Sequence, residues 1–114
     1  MILTQQLSEL IEDVHDDITK GQAGTGTTLF LKTQPGLITP IVATNLTLSN
    51  KTFTSSQVSV NYVIPVATGN GNNLAEFEVN NGTYSYNRSV KASVNKTSDI
   101  EINIAFTFDF ELIT

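Results

Sequence analysis

Apolar positions along this chain change period near residue 20. Before it, Leu3, Leu7, Leu10, Ile11, Val14 and Ile18 recur at spacings of three and four, which places them on one stripe of a helix over residues 3–20. Gly21 follows, where a helix end readily takes a left-handed residue. Gly21, Gly24 and Gly26 make residues 21–28 a loop. Two short apolar runs come next, Leu29–Leu31 and Leu37–Val42, with a turn at Pro35-Gly36. Pro40 makes the second run an edge strand or an extended linker, because proline gives no N–H to a ladder.

From residue 52 the period is two. Val58, Val60, Tyr62, Ile64 and Val66 alternate, and Ala75, Phe77 and Val79 follow beyond a loop at 69–73. Asn81-Gly82 is a hairpin signal because both residues tolerate positive φ. Tyr84, Tyr86, Val90, Ala92 and Val94 form the next strand, and Lys96–Asp99 turns the chain into the last. There Ile100, Ile102, Ile104, Phe106, Phe108, Phe110 and Leu112 project to one side, with Glu101, Asn103, Thr107, Asp109 and Glu111 opposite. At about 3.3 Å per residue that run spans roughly 40 Å, so it bends, bulges or reaches beyond its own domain.

Strands joined by short turns predict an antiparallel meander. The expected fold is mainly β: one antiparallel β-sandwich-like domain with an N-terminal amphipathic α-helix. Residues 1–20 form the helical arm, 21–51 a Gly/Thr-rich loop with short extended segments, and 52–114 the sheet core. The helix stripe covers either this sheet or another subunit.

Composition narrows the function classes. A length of 114 residues fits one domain, and 39% hydrophobic with 15% charged residues fits a globular chain. Of the net charge of −5, Glu9, Glu12, Asp13, Asp16 and Asp17 against Lys20 give residues 1–20 a net −4. Lysine and arginine do not cluster, so no nucleic-acid partner is expected. Without cysteine there are no disulfides or thiolate metal sites. The first residues lack a signal peptide's basic and apolar regions, and no stretch approaches the roughly 18 apolar residues of a membrane span. Synthesis in the cytosol of some cell and no membrane association are expected.

Candidate chemistry is sparse. Gly24–Thr28 suggests a phosphate cradle, but no Lys-Ser/Thr follows and the loop comes after a helix, so a flexible hinge between arm and body is expected. Glu12, His15 and Asp16 are helix neighbours, yet a carboxylate metal site needs ligands from other helices; no metal or cofactor is expected. No Gly-x-Ser-x-Gly element is present, and no catalytic residue is assigned. Glu76 and Glu78 read as an exposed strand face rather than a glycosidase pair. Tyr84 and Tyr86 suit a sugar-stacking platform or a half-buried sheet, with the core reading favoured. Five Asn-x-Ser/Thr triplets reflect composition. Glu9, Asp13 and Asp17 stack along the helix, as a solubilising face or as a surface for a basic partner.

The run Gly24-Thr-Gly-Thr-Thr28, then Gly36-Leu37 with Thr39-Pro40, resembles a pattern in small virion proteins of tailed bacteriophages and archaeal viruses. Their sheet carries a Glu-hydrophobic pair, an Asn-Arg or Ala-Arg pair and a lysine, matched here by Glu76-Phe77, Asn87-Arg88 and Lys96. Where that group has an Asp before the Gly-Leu segment, this chain has Gln34-Pro35. The resemblance implies a structural protein of a virus particle. Together with the absent active-site chemistry, it makes the expected function non-enzymatic: a capsid decoration (cement) protein or tail component, located in the virion. Its partners would be the major capsid or tail protein and copies of itself, with a trimer expected by analogy. Candidate contact residues are Leu3, Leu7, Leu10, Glu9, Asp13 and Asp17 on the helix, and Phe106, Phe108, Phe110 and Leu112 on the last strand. The alternative is a glycan-binding adhesion module of a viral tail or cell surface, using Asn70–Asn73 and the tyrosines.

Overall fold

The computed structural model describes residues 4–28 and 36–110. Expectations for Leu3, Leu29–Leu31, Pro35, Glu111 and Leu112 lie outside the described residues. Helix α1 (Thr4–Asp17) precedes strands β1 (Lys20–Gly24), β2 (Leu46–Thr47), β3 (Asn50–Phe53), β4 (Gln57–Ile64), β5 (Asn73–Asn80), β6 (Ser85–Asn95) and β7 (Ile102–Asp109). The strands form two antiparallel sheets, ordered β2-β1-β5-β6 and β3-β4-β7. The fold is thus mainly β, an antiparallel sandwich with an N-terminal helix.

The helix covers its own sheet. Ile11 is fully buried, Leu7 and Val14 pack on the core, and α1 lies against β3 and β4. It ends at Asp17, three residues short of the expected end. Lys51 closes it: Nζ donates to the carbonyls of His15 (2.9 Å) and Ile18 (3.1 Å), placing a cation at the negative end of the helix dipole. That cation offsets Asp16 and Asp17, which sit unfavourably at the same end.

Gly21 does not stop the helix. It lies in β1, and a Cβ there would overlap the buried Tyr62 ring, so the glycine admits the aromatic side chain. The Tyr62 hydroxyl donates to Gln22 O at 3.1 Å, while burial, aided by the charge of Glu78, pushes its pKa well up. The expected loop over 21–28 is therefore in part a central strand.

The expected meander is also corrected. After β4 the chain crosses to the other sheet; β4 pairs with β7, from Gln57 opposite Asp109 to Ile64 opposite Ile102. The last strand is bounded by Ile102 and Asp109 and does not overhang β4. Val58, Val60, Ile64, Phe77, Val79 and Phe106 belong to the core cluster. In the β5–β6 hairpin only Gly82 has positive φ (+91°), and the loop holds Asn81–Tyr84. Asn81 Oδ1 accepts from the N–H groups of Thr83 (2.9 Å) and Tyr84 (2.6 Å), a side-chain turn in place of the expected two-residue one.

Residues leading from β1 to β2 line the edge of β1 and lie over the outer face of the larger sheet. Along the edge, Pro40 bridges to Gly24, Ile41 N–H donates to Ala23 O (2.9 Å), and Ala23 N–H donates to Thr44 Oγ1 (2.9 Å). On the face, the N–H groups of Gly26, Ile38 and Thr39 reach the Glu76 carboxylate. Leu74 to Asn80 are consequently all buried, although β5 alternates apolar and polar side chains.

Candidate functional site

Glu76 and Glu78 are the largest departure from expectation. Both are buried, at 0% and 7% exposure, because the segment after β1 lies over the sheet face they occupy. Glu76 sits at the centre of a polar knot. Oε2 accepts from the N–H groups of Gly26 and Thr39, and Oε1 from Ile38 N–H and Arg88 Nε, each at 2.8 Å. Burial alone would raise this carboxyl's pKa; the N–H groups of Ile38 and Thr39, Arg88 and the Gly26 N–H together hold it below the usual value. A Cβ at Gly26 would come within 2.6 Å of Glu76 Oε2, so only glycine allows this approach. The Gly24–Thr28 loop is therefore pinned, not a hinge: Thr25 N–H also donates to Thr39 O at 3.0 Å. Gly26, Ile38, Thr39, Glu76 and Arg88 thus meet at one structural clasp.

Glu78 behaves oppositely. Burial raises its pKa, against the lowering pull of the neighbouring Ser85 hydroxyl and of Asn80, whose Nδ2 donates to Oε1 at 3.4 Å, and the charge of Glu76 adds to the rise. Glu78 and Ser85 line a polar pocket of about 210 Å³ with Gln22, Asn45, Asn80 and Tyr84. Tyr84 is 72% exposed rather than part of the core. Tyr86 instead donates its hydroxyl to Asp17 Oδ2, which Asn81 Nδ2 also reaches at 3.1 Å. That contact raises the Tyr86 pKa to about 12 and, with Asn81, holds the Asp17 carboxyl below its usual range. Lys96, fully buried, donates to Val66 O (3.2 Å), Asn70 Oδ1 (2.8 Å) and Thr97 O (3.0 Å), and so organises the loop expected to bind glycans.

Among the described residues, nothing covers one side of the sandwich. β6 ends one sheet and β7 the other, and between them lies an apolar cleft of about 500 Å³ lined by Phe77, Val94, Ile102, Ile104 and Phe106. Lys91 and Asn103 stand at its mouth. Elsewhere the sheet edges are β2, of two residues, and β3, of four. The open mouth explains why Ala92 and Val94 are exposed although they continue an alternating strand.

The expected contact residues separate into three groups. Glu9, Leu10 and Asp13 are exposed on α1, and Leu7 is half-buried against the core. Asp17 is exposed but engaged by the hairpin. Phe106 is buried, and Phe108 and Phe110 pack against the core, so β7 leaves open its backbone edge rather than its aromatic face. His15 Nδ1 lies 2.8 Å from Asp16 Oδ1, and its ring packs on Phe53 at 4.7 Å. Among the described residues no three His, Cys, Asp or Glu side chains gather to hold a metal ion, and no helix is long and apolar enough to cross a membrane. No family model, curated protein or solved structure matches this chain.

Proposed function

We propose that this chain is a non-enzymatic structural protein of a virus particle, a capsid decoration (cement) protein or tail component. It works through protein–protein contacts with the major capsid or tail protein and with copies of itself. The observation that carries the assembly reading is the side of the sandwich where two long edges, unpaired among the described residues, flank an apolar cleft. Unpaired edges add strands from partners, and an apolar mouth gains by being covered. The virion assignment rests on the Gly-Thr-Gly-Thr-Thr resemblance. Antibodies raised against the purified chain should decorate intact particles in immunogold electron microscopy of a virus-producing culture. Signal confined to the particle-free fraction contradicts the assignment.

A second reading, a glycan-binding adhesion module, is favoured by the polar pocket in which Tyr84 stands exposed beside the buried Glu78 carboxyl. It predicts saccharide binding by the isolated domain that Tyr84→Ala abolishes, measured by calorimetry. Binding that survives the substitution excludes this pocket as the site.

A further inference from the structure

We propose that copies of this chain associate mouth to mouth around a rotation axis parallel to the strands, so that β6 of one copy pairs with β7 of the next. The proposal rests on the assembly reading and names its partner, a second copy of the same chain.

Symmetry and connectivity carry the geometry. β6 and β7 are outermost strands of different sheets, and only residues 96–101 join them. So short a link keeps Asn95 and Ile102 at the same end of the mouth, and the two edges run antiparallel across it. Rotation about an axis along the mouth keeps every residue at its own height. It sets β6 of one copy beside β7 of the next in the antiparallel sense that a ladder requires. Positions facing one another across the cleft within a chain, such as Val94 and Asn103, then also meet between chains.

Charge selects the same pairing. Lys91 is exposed on β6, whereas β7 holds no lysine or arginine and is flanked by exposed Glu101 and Asp109. A β6–β6 pairing joins two edges that carry cations and no acid, whereas β6 against β7 joins a cationic strand to an acidic one. Both edges also lack proline, one of the residues that blunt free edges. Eight paired residues rise about 26 Å, and two sheets with their side chains are about 20 Å wide, giving a face of roughly 500 Å² per copy. That area is at the low end for a specific interface, so the two ladders must supplement apolar burial.

The chain has no cysteine, so single-cysteine variants report contacts directly. Val94→Cys and Asn103→Cys chains, prepared separately and then mixed, should give a covalent heterodimer with a short bismaleimide as the main product. Either variant alone should give far less. Both positions are exposed enough to leave folding intact, which an unchanged urea midpoint verifies. Adding Lys91→Glu should lower the heterodimer yield; a higher yield would mean that Lys91 blocks edge pairing, and would overturn the proposal. No heterodimer in the mixture, with the Val94→Cys/Asn103→Cys double variant cross-linking only within one chain, also overturns it. Particles labelled by antibody despite that result would retain the virion reading and remove self-pairing alone. Unlabelled particles with a positive cross-link would do the reverse.

Discussion

Replacing Glu76 by glutamine removes the charge from the centre of the clasp and almost preserves the side chain's shape. In the folded chain its two oxygens take three backbone N–H bonds and one from Arg88, all at 2.8 Å, with no solvent exposure. A glutamine amide nitrogen would face donors with a donor, and Arg88 would lose its counter-charge. Bonds to a charged group contribute about 1.5–3 kcal/mol each, and breaking one partner of a buried pair costs about 3–5 kcal/mol. These costs overlap, so Glu76→Gln should lose about 3–5 kcal/mol of a total that is typically about 5–15 kcal/mol. With a urea m value of about 1.5 kcal/mol/M, the midpoint should fall by about 2 M or more. Adding Arg88→Met should cost less than the sum of the two single losses, because the second change removes a charge already stranded. Glu76→Gln within about 0.5 kcal/mol of the parent, at unchanged m, would refute the clasp as a source of stability.

The folded pKa of Glu76 is depressed, so its contribution is present above the unfolded value and lost as pH falls through the folded value. Glu78 has the opposite sign: its folded pKa is raised, so stability is fully present below the unfolded value and declines as pH rises through the folded one. Glu78→Gln should therefore stabilise the chain at neutral pH, by up to about 1 kcal/mol, with the gain fading in acid; urea melts across pH measure it. Gly21→Ala should cost about 3 kcal/mol or more by forcing the Tyr62 ring to move, and clearly less in a Tyr62→Val background, as paired denaturation curves would reveal. Lys51→Met should cost about 1 kcal/mol and speed amide exchange in the last turn of α1, with unchanged exchange there counting against the cap. By NMR, Tyr86 should titrate at about 12 and return towards 10 in Asp17→Ala. An unshifted Tyr86 would remove the helix–hairpin tie.

Legibility of the fold followed local period. The helix stripe and the alternation of β4, β5 and β7 are backbone-scale patterns, so the elements and the mainly β class were readable. Strand partnership was not, because a loop such as 65–72 is equally able to close a hairpin or to cross between sheets. Gly21 misled for a specific reason: a glycine after an amphipathic run resembles a helix stop, whereas here it makes room for a ring 41 positions later in sequence. Glu76 and Glu78 read as solvent-facing because alternation identifies two faces but cannot reveal that a loop covers the second. One signal was available. The hairpin at Asn81-Gly82 sets Arg88, the only arginine, opposite Glu78 and diagonal to Glu76, a charge pairing that already hints at burial. The cleft had no such signal, since an open edge is defined by a missing partner. The long final strand was correctly conspicuous; its openness lies in its backbone edge, not in the phenylalanines that made it visible.

If another copy covers the β6/β7 mouth, the molar mass of the chain in solution must show it. Light scattering on the wild-type chain, from the low to the high micromolar range, should give a small whole-number multiple of 12.4 kDa, and Lys91→Glu should lower the oligomeric fraction. A stable 12.4 kDa species throughout that range, with the edge amides of β6 and β7 exchanging freely, would contradict the account.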